Sequence, residues 1–217
     1  MCMEGSKAAF ARLVISRLRR RYRREMHTGL HHGSPWELLV ATMLSAQAQD
    51  ASVNRITPRL FRDFRSVRSY AALKPPQLYP YTRSIGLYRN KSKNIVAAAK
   101  KIMADYGSKV PDTMEGLTSL PGVGRKTANV VLYNAFHRSE GIAIDTHCIT
   151  VANRLGLVRT ADAAKIERTL MKIVPRDDWG DLTHLFIALG RDVCTAKRKY
   201  CGRCVLNSIC PSSTVAK

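Results

Sequence analysis

The chain has 217 residues, 45% of them hydrophobic, which is enough for one large domain or two small ones with a packed core. Its 36 Lys and Arg against 16 Asp and Glu give a net charge of +20, a poor match for a neutral metabolite and a good one for nucleic acid, ahead of an anionic membrane or a merely solubilising surface. No run of about 20 apolar residues exists, and Arg12, Arg17 and Arg19 interrupt the N-terminal apolar positions, so neither a signal peptide nor a membrane span is expected. The protein reads as soluble and intracellular, cytoplasmic or nucleoid-associated.

Helical periodicity runs through the chain and no strand pattern of comparable length competes, so an all-α fold is expected. Phe10, Leu13, Val14 and Leu18 recur at helical spacing. Among them begins a run of Arg17, Arg19, Arg20, Arg21, Arg23 and Arg24, which reads first as a solvated helix face and second as a direct DNA contact. "SPWE", Ser34 to Glu37, reads as a capping box with Pro35 at the first helical position, opening a helix that runs to about Leu44. After the break at "SAQAQD", Asp50 can cap another helix, and Pro58 is expected to end that one and begin the next. Further periodic stretches cover Lys91 to Tyr106, closed by Gly107, then Arg125 to Phe136, Thr146 to Leu155, Ala161 to Val174 and Asp181 to Val193. The polar stretch "HRSEG", His137 to Gly141, is the best candidate for a domain boundary.

"LTSLPGVGRKTANVVLYNAF" carries the most informative local chemistry. Pro121 closes a short helix, Gly122 and Gly124 permit positive φ and close backbone approach, and an amphipathic helix follows through Ala128, Val131, Leu132 and Ala135. In this helix-hairpin-helix, amides around Gly122, Val123, Gly124 and Arg125 can point together at a phosphate without reading a base. Lys126 stands in the first turn of the second helix, where the positive end of the helix dipole disfavours another cation. That suits a nucleophilic amine, and a phosphate contact serves equally well on this ground alone. Asp145 follows the apolar Ile142, Ala143 and Ile144 and precedes a helical pattern, so by itself it reads as a helix N-cap.

Four of the six cysteines, Cys194, Cys201, Cys204 and Cys210, lie near the C-terminus in the spacing C-x6-C-x2-C-x5-C. Disulfides are disfavoured in an intracellular chain, and only Cys201 and Cys204 form a zinc-like knuckle. The wider spacings suit an iron–sulfur cluster and leave zinc open. Between the first two ligands, "TAKRKY" places Lys197, Arg198 and Lys199 on a loop tied at both ends, where they can contact phosphates. Cys2 is expected in a frayed terminus and Cys148 as a small buried apolar residue.

The segments LLVATMLSAQAQD, IGLYRNKSKNI, LPGVGRKTANVVL and IAIDTH and the cysteine tail occur together and in order, over Ser34 to Cys210, and in this the chain resembles the endonuclease III family of helix-hairpin-helix DNA glycosylases. The resemblance implies two helical domains flanking a DNA cleft: a six-helix domain over 28–139, and a discontinuous cluster domain of 1–27 and 140–217. It implies a [4Fe-4S] cluster on the four tail cysteines, Lys126 as a nucleophile that attacks C1′ of a damaged nucleotide, and Asp145 as its carboxylate partner. It implies further that Gln47 bonds the orphaned base and that Leu87 wedges into the stack; judged alone, Gln47 is a polar loop residue and Leu87 belongs to the core. The expected partner is double-stranded DNA containing damaged bases or abasic sites, bound by a monomer, with oxidised pyrimidines as the target.

Two other functions compete. The adenine-mismatch glycosylase branch shares the fold and the cysteine spacing, but it lacks a lysine at the position of Lys126, places glutamate where this chain has Ala41, and carries a further C-terminal domain for which no residues remain. A non-catalytic DNA-binding module would keep the hairpin for phosphates and have no reason to combine Lys126 with Asp145.

Overall fold

The computed structural model describes residues 2–23 and 27–215, with side chains from residue 6 onward. Arg24 and the side chain of Cys2 therefore lie outside what is described. In chain order the α-helices are α1 (Cys2–Arg21), α2 (Pro35–Ser45), α3 (Asp50–Asp63), α4 (Val67–Ala71), α5 (Tyr79–Thr82), α6 (Tyr88–Asp105), α7 (Met114–Thr118), α8 (Arg125–Phe136), α9 (Thr146–Arg154), α10 (Ala163–Ile173) and α11 (Trp179–Asp192). The described residues contain no strand beyond one isolated bridge between Cys194 and Lys199. Two compact units result, one of residues 28–138 and one of residues 1–27 with 139–217.

The unit of residues 28–138 is built around α2. Leu38, Leu39, Val40, Ala41 and Leu44 are completely buried, so this helix is apolar on every side and needs a cover all round. Helices α3, α6 and α8 supply it with Val53 and Leu60, Ile95 and Ile102, and Val131 and Leu132. Each such aliphatic side chain contributes roughly 1.5–3 kcal/mol on burial. Tyr70 of α4 fills one end of the core edge-on to Trp36, their rings 5.2 Å apart. This unit has seven α-helices among its described residues, α5 being a single turn, where the resemblance implies six.

Three local expectations shift. Ser34 caps α2 by accepting from the Glu37 N–H at 3.2 Å, but the Glu37 carboxylate accepts from Gly33 at 2.6 Å rather than from Ser34, so the reciprocal box closes one residue early. Gln49, not Asp50, occupies the cap position of α3 and offers no side-chain bond there. Pro58 does not break α3; it lies inside it. An interior proline costs about 3 kcal/mol, and the buried stripe of Val53, Thr57 and Leu60 running past it offsets that.

In the other unit, α1 packs against α10 and α11, and α9 against α11. The buried face of α1 is Ala11, Val14, Ile15 and Leu18, and the buried Tyr22 follows directly after the helix. Leu13, although in register with the apolar pattern, is 42% exposed, because the stripe turns away from it at the i+3/i+4 spacing. Part of the arginine run is structural rather than solvated. Arg19 pairs with Asp178 at 2.6 Å and with Asp181, Arg21 pairs with Asp192 at 3.4 Å, and Arg17 donates to Ser208 at 2.9 Å. Cys2, expected in a frayed end, begins α1. Cys148 is buried, as its apolar reading requires.

Candidate nucleic-acid interface

The hairpin between α7 and α8 is set by local chemistry. Leu120 and Val123 are buried and pin the turn to the core, and the Val123 N–H bonds the Leu120 carbonyl at 3.1 Å. Gly122 has φ of +77°, and a Cβ there would stand 2.7 Å from Cβ of Asn94, so glycine is required twice over. Gly124 departs from expectation: its φ of −92° is open to any residue, and a Cβ would meet nothing within 4 Å. Its value is bareness. As the N-cap of α8 it brings no side-chain acceptor, which leaves the first N–H groups of that helix facing outward at an exposed surface.

Lys126 is exposed in the first turn of α8, on the side opposite the buried Ala128, Val131 and Leu132. Asp145, in the other unit, is half-buried and caps α9, one oxygen accepting from the Cys148 N–H at 2.8 Å. Its other oxygen makes no hydrogen bond among the described residues. The approach to this cap is rigid, since Ile142, Ala143 and Ile144 are buried and Thr183 donates to the Ala143 carbonyl at 3.1 Å.

Gln47 and Leu87 are both exposed and both left-handed, with φ of +55° and +58°. Gln47 follows α2 in a turn whose 2.9 Å bond runs from the Ala48 N–H to the Ser45 carbonyl, at the position where such a turn favours glycine. Leu87 caps α6 in a conformation that L-residues adopt only at a cost of roughly 1–2 kcal/mol. It is 64% exposed, which overturns its assignment to the core. Among the described residues the other non-glycine positions at positive φ, Ser108 and His137, follow the C-terminal ends of α6 and α8 as Gln47 follows that of α2, where left-handed residues are ordinary, whereas Leu87 stands at a helix N-terminus.

The cysteine tail folds as one small device. Leu206 is buried and, with Val205 and Ile209, anchors the tail to the core of its unit, so the tail is better fastened than its few apolar residues suggest. Thr195 and Arg198 exchange two 3.0 Å bonds across the "TAKRKY" loop, leaving Lys197 and Arg198 exposed. Lys199 is exposed too, but its ammonium is held by the Ser212 carbonyl at 2.8 Å. None of the four tail cysteines is in a disulfide. Burial raises the pKa of Cys204 and Cys210, with the other tail thiols adding to the rise, whereas hydrogen bonding from Thr214 lowers that of Cys201. Among the described residues no three His, Cys, Asp or Glu side chains close tightly enough to hold a metal ion.

Two residues escaped sequence reasoning. Arg154, on α9, spans the loop after Cys194: its guanidinium donates to the carbonyls of Cys194, Thr195 and Ala196 at 3.2, 2.8 and 3.0 Å, and to the Cys194 sulfur at 3.3 Å. Lys91, on α6, is buried, with its ammonium donating to the Leu44 carbonyl at 2.8 Å. Each looks from sequence like one more surface cation, and only a long-range contact distinguishes it.

Residues 40–176, more than half of the chain, match the family model described as HhH-GPD superfamily base excision DNA repair protein. The chain belongs to the HhH-GPD superfamily. Within it, the chain is 47% identical to endonuclease III of Bacillus subtilis over 182 residues, covering 83% of each sequence. Identity to the endonuclease III of Synechocystis is 44% over 184 residues, 85% of this chain and 84% of that protein. The HhH-GPD fold of this chain also superimposes on a trapped endonuclease III–DNA covalent intermediate in an estranged-adenine complex, with a TM-score of 0.88 and 40% identity over 94% of this chain and 96% of that one.

Proposed function

We propose that the protein is a bifunctional DNA glycosylase and abasic-site lyase of base excision repair, acting on oxidised pyrimidines in double-stranded DNA. The observation that carries this is Lys126: an exposed amine in the first turn of a helix whose cap is bare, on a hairpin fit to hold a phosphate. Its likeness to a protein trapped covalently on DNA supports the same chemistry.

In this reading the hairpin amides and the exposed Lys197 and Arg198 bind phosphates and set the position of the duplex without reading sequence. The target nucleotide leaves the stack, Leu87 enters the gap, and the amide of Gln47 meets the orphaned base. The deprotonated Lys126 amine attacks C1′ and the bond to the base breaks, the base leaving with the electron pair. The sugar ring opens to a protonated Schiff base, which loses a proton from C2′ and breaks the C3′–oxygen bond, nicking the strand 3′ to the lesion. Asp145 assists activation of the amine and stabilises the positive charge that develops on the sugar.

Cys194, Cys201, Cys204 and Cys210 are the residues that would hold a [4Fe-4S] cluster. They fit it in donor type, and the other three lie near enough to Cys204 to help raise its pKa. Such a cluster would staple the tail and fix the cationic loop. Ala41, where the adenine-mismatch branch carries glutamate, is completely buried in the core and offers no acid.

Borohydride trapping tests the assignment. Wild-type protein should become covalently linked to abasic duplex, whereas Lys126→Gln should lose trapping and base release yet keep DNA binding, since the hairpin amides do not depend on that side chain. Normal strand nicking by Lys126→Gln would sink the nucleophile assignment.

A further inference from the structure

Lys91 is 7% exposed and forms no ion pair among the described residues. An ammonium taken out of water is costly unless it is well bonded, so a partner as modest as one carbonyl calls for an explanation. That carbonyl belongs to Leu44, in the last turn of α2, where the final C=O groups of a helix lack partners and a cation is favoured. The backbone of Lys91 works in the opposite direction: its N–H donates at 3.0 Å to the carbonyl of Leu87, the left-handed residue that opens α6. The next residue, the buried Ser92, bonds Thr82 of α5 at 3.0 Å and pins the same turn of α6 a second time. One lysine thus joins the end of α2, three residues before Gln47, to the start of α6 at Leu87. These two exposed residues are both held at positive φ, Gln47 directly after the cap that ends α2 and Leu87 at the N-cap of α6.

The geometry points to Lys91 as a positioning residue that holds the Gln47 turn and the Leu87 cap in fixed register, so that both enter the duplex as one tool. The inference rests on the insertion roles proposed above. It assigns Lys91 no contact with DNA and no part in the chemistry at C1′. A buried strut of this kind lowers the ordering cost of two strained, exposed segments at the moment of base extrusion.

The test separates extrusion from chemistry. Lys91→Met keeps the length and apolar stem but has no donor for the Leu44 carbonyl. Single-turnover base release from a lesion-containing duplex should fall at least about tenfold, since small misplacements of positioning groups cost on the order of 10²-fold. Fluorescence of 2-aminopurine placed beside the lesion, which reports unstacking, should fall with it. Borohydride trapping on single-stranded abasic DNA, which has no stack to open, should stay within about twofold of wild type. In a Gln47→Ala background, Lys91→Met should add little further loss on duplex, because part of what it positions is gone. If Lys91→Met does not fold, Lys91→Gln carries the same comparison with a smaller duplex-selective loss. Equal losses on duplex and single-stranded substrates, an undiminished duplex rate, or the same fold-loss with and without Gln47 would each overturn the proposal. Failure of wild-type protein to trap on abasic duplex would instead count against the lyase reading.

Discussion

The two hairpin glycines should fail in opposite ways when each becomes alanine. At Gly122 the new side chain must adopt φ of +77°, at about 1–2 kcal/mol for a left-handed residue. It must also displace α6, because its Cβ would lie 2.7 Å from the Cβ of Asn94, which is not a flexible tip, and overpacking of that kind costs typically 1–3 kcal/mol. The sum, about 2–5 kcal/mol, corresponds to a drop in Tm of roughly 4–20 °C for a chain of this size. At Gly124 neither cost applies, since φ is −92° and no atom lies within 4 Å of the added methyl. Only the weaker capping by alanine remains, below about 1 kcal/mol. The methyl would, however, stand over the outward N–H groups of α8 and weaken binding to damaged and undamaged duplex alike, by about tenfold if one charge-assisted hydrogen bond is lost. Thermal unfolding and fluorescence anisotropy, the latter well below the melting range, read the two effects separately. A Gly122→Ala protein melting within about 2 °C of wild type would refute the steric account. Undiminished DNA binding by Gly124→Ala would refute the phosphate reading of the hairpin.

Asp145→Asn keeps an acceptor for the Cys148 N–H and should fold normally while base excision slows strongly; Asp145→Ala should in addition lose about 1 kcal/mol of stability with the cap, and full excision by the Asn variant would reduce Asp145 to a structural role. Removing Lys197 and Arg198 together should flatten the salt dependence of DNA binding by about 1.8 in log–log slope if each neutralises one phosphate, and adding Lys199→Ala should change it less, because Ser212 holds that ammonium. An unchanged slope would make the loop a solvated one. His184 is held down to about 4 by burial first, with His27 adding to the fall and Asp181 opposing it. Its folded pKa lies below its unfolded one, so the unfolded chain takes up the proton first and stability is lost as pH falls from about 6.5 to about 4, by up to about 3 kcal/mol. Denaturant titrations across that window should show the slope in wild type and lose most of it in His184→Leu.

Sequence determined what neighbouring residues decide. Arg125–Phe136 could be delimited to the residue because a Pro-Gly turn precedes it and its own apolar spacing defines it. Ser34 and Pro35 likewise mark the start of α2 by chemistry confined to four residues. The left-handed Gly122 is legible for the same reason. Tertiary structure decided whatever depends on which surfaces meet. Leu13 fits the helical pattern of α1 yet faces water, and Pro58 stays within α3 because the stripe around it finds a core to enter. Leu87 is as apolar as any core leucine, and only the path of the chain before α6 turns it outward. Lys91 and Arg154 carry the same charge in the sequence as thirty-four other cations, but the carbonyls that distinguish them lie 47 and 40 or more residues away. Caps, turns and periodicity are short-range and written in the order of residues; burial and long-range hydrogen bonds depend on packing that no local window contains.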